Sequence, residues 1–336
     1  LPGLAAVSSG RWRMPTLTLT SVLGQFPHDP PEGDYRILWI GDPDVMPIPA
    51  WTLRPGIGYA ITDDGPLTQY EAWPGRPSKM EEEVGAVVEQ LAAESTLRGG
   101  RLLAPYAIRY IVVPVADGAV STIDSPLPLP DGLVDALDDQ LDFATPLTRP
   151  LNFLVYENIA WIPTRAQFAG ADADATRQAG VDSLARLELS SAATPVAVGA
   201  ADNADVQFAV VAGAVTVATP VDERWSLQVG EQNLSPRPAF GATTGYDVAS
   251  GGPATLQYRT APLRAWTLIG QLVLWLLLGL GVSRFDRASL TRRRRRRGDV
   301  APETPMLSID APILIPIGDE IVSWQSEPGH HEAGVE

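Results

Sequence analysis

Hydrophobic and polar positions alternate with different periods along the chain. Tyr35 to Ile40 (YRILWI) is a short apolar run closed by GDPD, which predicts a buried strand running into a turn. Gly58 to Thr62 (GYAIT) predicts a second strand before the turn DDGP. From Ser78 the period lengthens. SKMEEEVGAVVEQLAAEST puts Met80, Val84, Val87, Val88, Leu91 and Ala92 on one face, with glutamates in the first turn, and so predicts an amphipathic helix ending near Gly99 and Gly100. Ala107 to Pro114 (AIRYIVVP) is β-branched and aromatic enough for a central strand. Asp131 to Leu141 predicts a second helix and Leu151 to Tyr156 (LNFLVY) another strand.

This order describes an α/β layer domain over 34–168, preceded by a Pro-, Gly- and Ser-rich loop over 1–33. Residues 169–180 (AGADADATRQAG) have the composition of a linker. Beyond them the runs LARLELS, TPVAVGA, VQFAVVAG, AVTVATP, RWSLQV, GYDVAS and ATLQYRT are short, strand-like and separated by turn residues. They predict a β-sandwich over 181–260. The expected class is an α+β multidomain membrane protein.

The membrane assignment comes from Trp266 to Val282, WTLIGQLVLWLLLGLGV, which carries no charge and is apolar on every face. As a helix it would be roughly 26 Å long, close to the ~30 Å hydrocarbon core of a bilayer. Ala265 and Ser283 extend the expected span to 265–283. Trp266 sits at an interfacial position. Arg284, Arg287, Arg292, Arg293, Arg294, Arg295, Arg296 and Arg297 follow it, which by the positive-inside rule places 284–336 in the cytoplasm and 1–264 outside it. A basic run directly after a span anchors topology and attracts anionic lipid, which outweighs a nucleic-acid reading. Gly270, Gln271, Gly279 and Gly281 offer close-packing and hydrogen-bonding positions, as expected of the last helix of a larger bundle. The tail is Pro- and acid-rich and is expected to be disordered, with Ala311 to Ile317 as a candidate docking segment.

Composition narrows the chemistry. The net charge is −15 despite the arginine run, so nucleic acid is not an expected partner. Lys79 is the sole lysine, a bias that suggests a GC-rich bacterial genome. There is no cysteine, hence no disulfide, thiol nucleophile or thiolate metal site. The histidines are His28, His330 and His331, and the last two fall in the tail. A histidine-based catalytic site or metal site would rest on His28 alone. The D-x-D of Asp172 and Asp174 lies in the predicted linker. Asp42 and Asp44 follow a strand end, where α/β domains often place ligands, although Gly-Asp-Pro is ordinary turn chemistry. Trp73 and Trp161 could stack on sugar rings, though tryptophans in short strands more often pack in the core. No phosphate-loop, dinucleotide, nucleophile-elbow or zinc-helix motif is present. No cofactor, metal or catalytic residue is therefore expected in this stretch.

Several phrases occur together in order: YRILWIGDPDVMPIP, LLAPYAIRYIVVP, LVYENIAWIPTRAQF and DERWSLQVGEQNLSPRPAFG, then GGPATLQY and a final span. Over about 10–297 this resembles the C-terminal extracytoplasmic region of large actinobacterial membrane glycosyltransferases of the family 2 type. It is also similar to the ectodomain of YfhO-type membrane proteins. The resemblance implies a parent chain with a cytoplasmic nucleotide-sugar transferase domain and spans before Leu1. LPGLAAVSSG reads as a loop leaving such a span. No catalytic residue of that family maps here.

The expected partners are the lipid bilayer, an upstream transmembrane bundle of the same chain, and a lipid-linked sugar or polysaccharide. The expected glycan contacts are Trp73, Trp161, Asp42, Asp44 and Glu157. A different class of function, a membrane-anchored scaffold of the cell envelope without glycan binding, fits the same features. So, less well, does a hydrolase or transferase site near Asp42, Asp44 and Glu157.

Overall fold

The structure, a computed structural model, describes residues 23, 24, 26, 27, 31–44, 46–115, 129–144, 153–198, 205–259 and 266–280. It divides into two units, Leu1–Arg264 and Ala265–Glu336. The described residues of the first are a mixed α+β, β-rich unit of three sheets.

The first sheet is built from β1 (Arg36–Gly41), β2 (Trp51–Arg54), β3 (Ile57–Asp63), β4 (Ile108–Pro114), β5 (Phe143–Ala144) and β6 (Phe153–Asn158) in the order β2-β3-β1-β4-β6-β5. Only β1 and β4 run parallel; the other pairs are antiparallel. Strict alternation covers both faces. Ile37, Trp39, Ala60, Tyr110, Val112, Phe153 and Val155 meet Leu23, Phe26, Met46 and Ile48 on one side. Leu38, Ile40, Tyr59, Ile111, Val113 and Tyr156 meet the helix Lys79–Ala92 on the other. Two buried faces explain why β1 and β4 read as continuous apolar runs.

The helix buries the face expected of it, Met80, Val84, Val87, Val88 and Leu91. Ser78 and Glu81 form a capping box at its start, so Glu81 is a buried structural acid and not only a dipole complement. Gly85 is required where it stands, because a Cβ there would lie 2.9 Å from the Tyr59 ring. The predicted second helix shortens to Leu133–Asp138.

Two further sheets follow, and their strands begin before residue 181, where the strand-rich region was expected to start. One holds β7 (Arg165–Ala169), β8 (Ala193–Pro195), β10 (Gly213–Pro220), β13 (Arg237–Ala239) and β14 (Thr243–Val248), ordered β13-β14-β10-β7-β8. The other holds β9 (Asp205–Val210), β11 (Trp225–Val229), β12 (Gln232–Leu234) and β15 (Gly252–Tyr258), ordered β12-β11-β15-β9. Val215, Val217, Tyr246 and Val248 pack across to Leu227, Val229, Ala254 and Leu256.

Two sequence expectations are corrected here. Residues 169–180 are not a linker: Gly170–Arg177 is a 3-10 helix, with Thr176 buried and bonded by Arg237 Nη2 at 2.8 Å and by the Phe240 amide at 2.9 Å. Small residues suit close packing as well as they suit a spacer, so composition alone does not separate the two. LARLELS is not a strand: it joins two helical turns, Val181–Leu184 and Leu189–Ala192, which bury Leu184 and Leu189. The far face of β7 brings Ala166 and Phe168 into the core under the first sheet, so the predicted domains share one hydrophobic interior.

In the second unit, residues 266–280 form a helix with exposed side chains, roughly 22 Å long at 1.5 Å per residue. No helix among the described residues is long and apolar enough to cross a membrane. Residue 265, residues 281–283, the arginines Arg284 to Arg297 and the tail lie outside the described residues, as does His28.

Candidate functional site

The expected glycan-contact residues do not converge. Glu157 pairs with Tyr110 in the β4–β6 ladder, and Tyr110 pairs with Ile37 near the start of β1. Asp42 and Asp44 follow the other end of β1, roughly 16 Å away at ~3.3 Å per residue. The Asp44 amide donates to Asp42 Oδ1 at 3.0 Å, the Asx turn that the sequence alternative described. A single enzymatic site built from Asp42, Asp44 and Glu157 is therefore ruled out by sheet topology.

Trp161 and Glu157 do meet, around Arg109. The guanidinium carbon lies 4.8 Å from the Trp161 ring centroid, 5.3 Å from Tyr110 and 5.4 Å from Tyr35. Its Nε donates to Glu157 Oε1 at 3.1 Å. Tyr35 meets Tyr110 and Trp161 edge-on, and its hydroxyl donates to the Pro27 carbonyl at 2.7 Å. Burial pushes the Tyr35 hydroxyl well above the ordinary tyrosine range, and the Asp64 charge adds to that. Trp161 is thus part of a cage around a cation, partly buried against its neighbouring rings and Arg109.

Among the described residues a larger opening lies elsewhere in the same unit. A cleft of about 700 Å³ runs between the end of β3 with the following helices and the ends of β10, β11 and β15. The first side supplies Arg36, Asp63, Tyr70, Glu71 and Glu81, and the second supplies Asp222, Arg224, Trp225 and Tyr258. Arg36 ties the sides together: Nε donates to Asp63 Oδ1 at 2.9 Å, and Nη1 donates to the Ala218 carbonyl. Trp225 and Tyr258 oppose one another on β11 and β15 with ring centroids 4.9 Å apart, and Arg224 lies over Tyr258 at 4.9 Å. Trp73 is 76% exposed at the end of the short helix Gln69–Ala72, one turn beyond the cleft residue Tyr70.

Each cleft carboxylate has a fixed partner. Glu71 accepts the Asp63 amide at 2.7 Å and the Thr68 amide at 2.6 Å, closing a capping box. Glu81 accepts the Ser78 amide and, at 3.0 Å, the Tyr70 hydroxyl. The Tyr70 ring is half exposed, but burial at its hydroxyl and the adjacent Glu81 charge push it up to about 12. Asp222 accepts from Arg224 Nε at 2.9 and 3.0 Å, and chiefly for that reason its carboxyl falls to about 2. The cleft therefore presents fixed charges, hydroxyls and aromatic faces. Among the described residues no group of three or more His, Asp or Glu could hold a metal ion.

Sequence reasoning missed these residues as a set. DDGP, the capping signals and DERWS were each legible as local phrases, yet nothing local shows that they face one another. No family model, curated protein or solved structure matches the chain.

Proposed function

We propose that the chain is a non-catalytic extracytoplasmic region of a membrane glycosyltransferase-like protein, working in cell-envelope polysaccharide or glycolipid assembly. In this reading 1–264 lie outside the membrane and 284–336 in the cytoplasm. The region packs against upstream spans and contacts a lipid-linked sugar or polysaccharide. One observation supports glycan contact above the others: the cleft combines aromatic rings with planar hydrogen-bonding groups, the two elements a pyranose needs for its apolar face and its hydroxyl rim. Trp73, beside it, adds an exposed stacking surface. Asp42, Asp44, Glu157 and Trp161 drop out of the contact set.

The test is calorimetric titration of the full chain in detergent with a panel of oligosaccharides. Tyr258→Ala or Trp225→Ala is expected to weaken the best binder by about tenfold, the effect of losing one stacking face. Trp161→Phe is expected to leave affinity unchanged. Absence of binding across the panel would sink the reading.

A specific surface favours the scaffold alternative. Leu97, Leu141 and Ile159 are each more than half exposed and lie on linked backbone, with the Leu141 amide bonded to the Leu97 carbonyl at 3.1 Å. If the panel fails while membrane cross-linking captures a protein through this patch, and Leu141→Asp abolishes capture, the scaffold reading replaces the first.

A further inference from the structure

We infer that the cleft selects uncharged saccharide and rejects anionic groups such as phosphate, sulfate or uronate. This deepens the glycan-contact reading and rests on it. A lining of four carboxylates against two guanidiniums makes the cleft net negative.

Each guanidinium is already paired with a carboxylate of the lining. Arg36 is engaged by Asp63 and by the Ala218 carbonyl, and its side chain is only 14% exposed. Arg224 is neutralised by Asp222 and covers the Tyr258 face. The other natural seat for an anion is a helix N-terminus, where free N–H groups and the dipole attract negative charge. The helix Lys79–Ala92 starts at this cleft, but its own Glu81 carboxylate already caps it. Glu71 does the same for the turn at Thr68. The chain's own carboxylates therefore fill the positions that a phosphate or uronate would need. An incoming anion would meet Glu71 and Glu81, neither of which has an ion-pair partner among the described residues.

What remains for recognition is neutral chemistry. The Tyr258 and Trp225 rings contribute aromatic surface to the lining, and the rim carboxylate of Asp222 can accept sugar hydroxyls. In a lipid-linked sugar the cleft would hold the sugar and leave the phosphate outside.

The test compares galactotetraose with tetragalacturonate, which differ only in the oxidation state at C6 of each ring. Titration of the full chain at low ionic strength is expected to give at least about tenfold weaker binding of the uronate, with the gap closing toward 1 M salt as repulsion is screened. Asp222→Asn removes one rim charge and releases Arg224, and is expected to narrow the gap between the two sugars at least threefold. Melting of the variant checks that it is folded, and the wild-type salt series stands without it. Uronate binding equal to or tighter than the neutral sugar overturns the inference while leaving glycan contact in place. Binding of neither sugar overturns both.

Discussion

Arg109 and Arg224 make the same contacts in two different places, and the difference in burial separates framework from binding surface. Each is a guanidinium over aromatic rings with an acid on it, Arg109 having Glu157 at 3.1 Å and Glu32 at 3.9 Å. Arg109 is 14% exposed and enclosed by Tyr35, Tyr110 and Trp161, with Glu157 on its Nε. Arg224 is 49% exposed, lies over Tyr258 alone and pairs with Asp222, two residues away on the same rim. In low dielectric an unpaired partner is costly, so the first arrangement is held in one geometry. At the surface the same pair is worth little. Listing residue types does not separate these cases; their surroundings do.

The comparison breaks most visibly under Arg109→Ala. Removing the cation leaves Glu157 and a hollow between three rings. The expected loss is about 2–3 kcal/mol by denaturant melting, below the usual figure for a buried pair because Glu157 is one-third exposed. Arg109→Lys should recover only part, since an ammonium lacks the planar stacking surface. If Arg109→Ala melts like the wild type, the cage is not a framework element.

Alkali separates the regions next. Tyrosine ionises near 10.0 in the unfolded chain, whereas burial holds Tyr35 far above that and Tyr70 at about 12. The unfolded state then loses protons first, so stability must fall as pH rises above 10. Tyr35 and Tyr70 should ionise with unfolding, not before it. A non-cooperative rise in tyrosinate absorbance near pH 10 accounting for all eight tyrosines would contradict the burial of the cage.

Arg224→Ala should be the milder of the two arginine changes, leaving the melting temperature unchanged within error while altering glycan titrations. Equal destabilisation by the two arginine changes would erase the distinction. The smallest effect is acidic. Asp222 is held near 2 against an ordinary 3.8, so its contribution is present above pH 3.8 and fades as pH falls through about 2. An Asp222→Asn chain should show a slightly flatter stability profile in that window alone.

Much of the first sheet was legible before any coordinates. The alternation in YRILWI, AIRYIVVP and LNFLVY marked β1, β4 and β6, and the spacing of Met80 to Leu91 marked the buried helix face, because side-chain period and burial are local consequences of backbone geometry. Composition likewise excluded thiol chemistry. The linker at 169–180 and the strand at LARLELS were misread for the same local reason: small residues permit a spacer or a tight 3-10 turn, and closely spaced leucines serve a strand or two helical turns. The functional residues were less legible still. Asp42, Asp44 and Glu157 looked alike as acids near strand ends, and only strand direction put them at opposite ends of the sheet. Arg36 reaches Ala218 across 182 residues of chain, and that crossing is where the cleft forms. Periodicity reports which side of an element faces the core, but a cleft is a relation between elements distant in sequence, set by how the sheets pack on one shared interior.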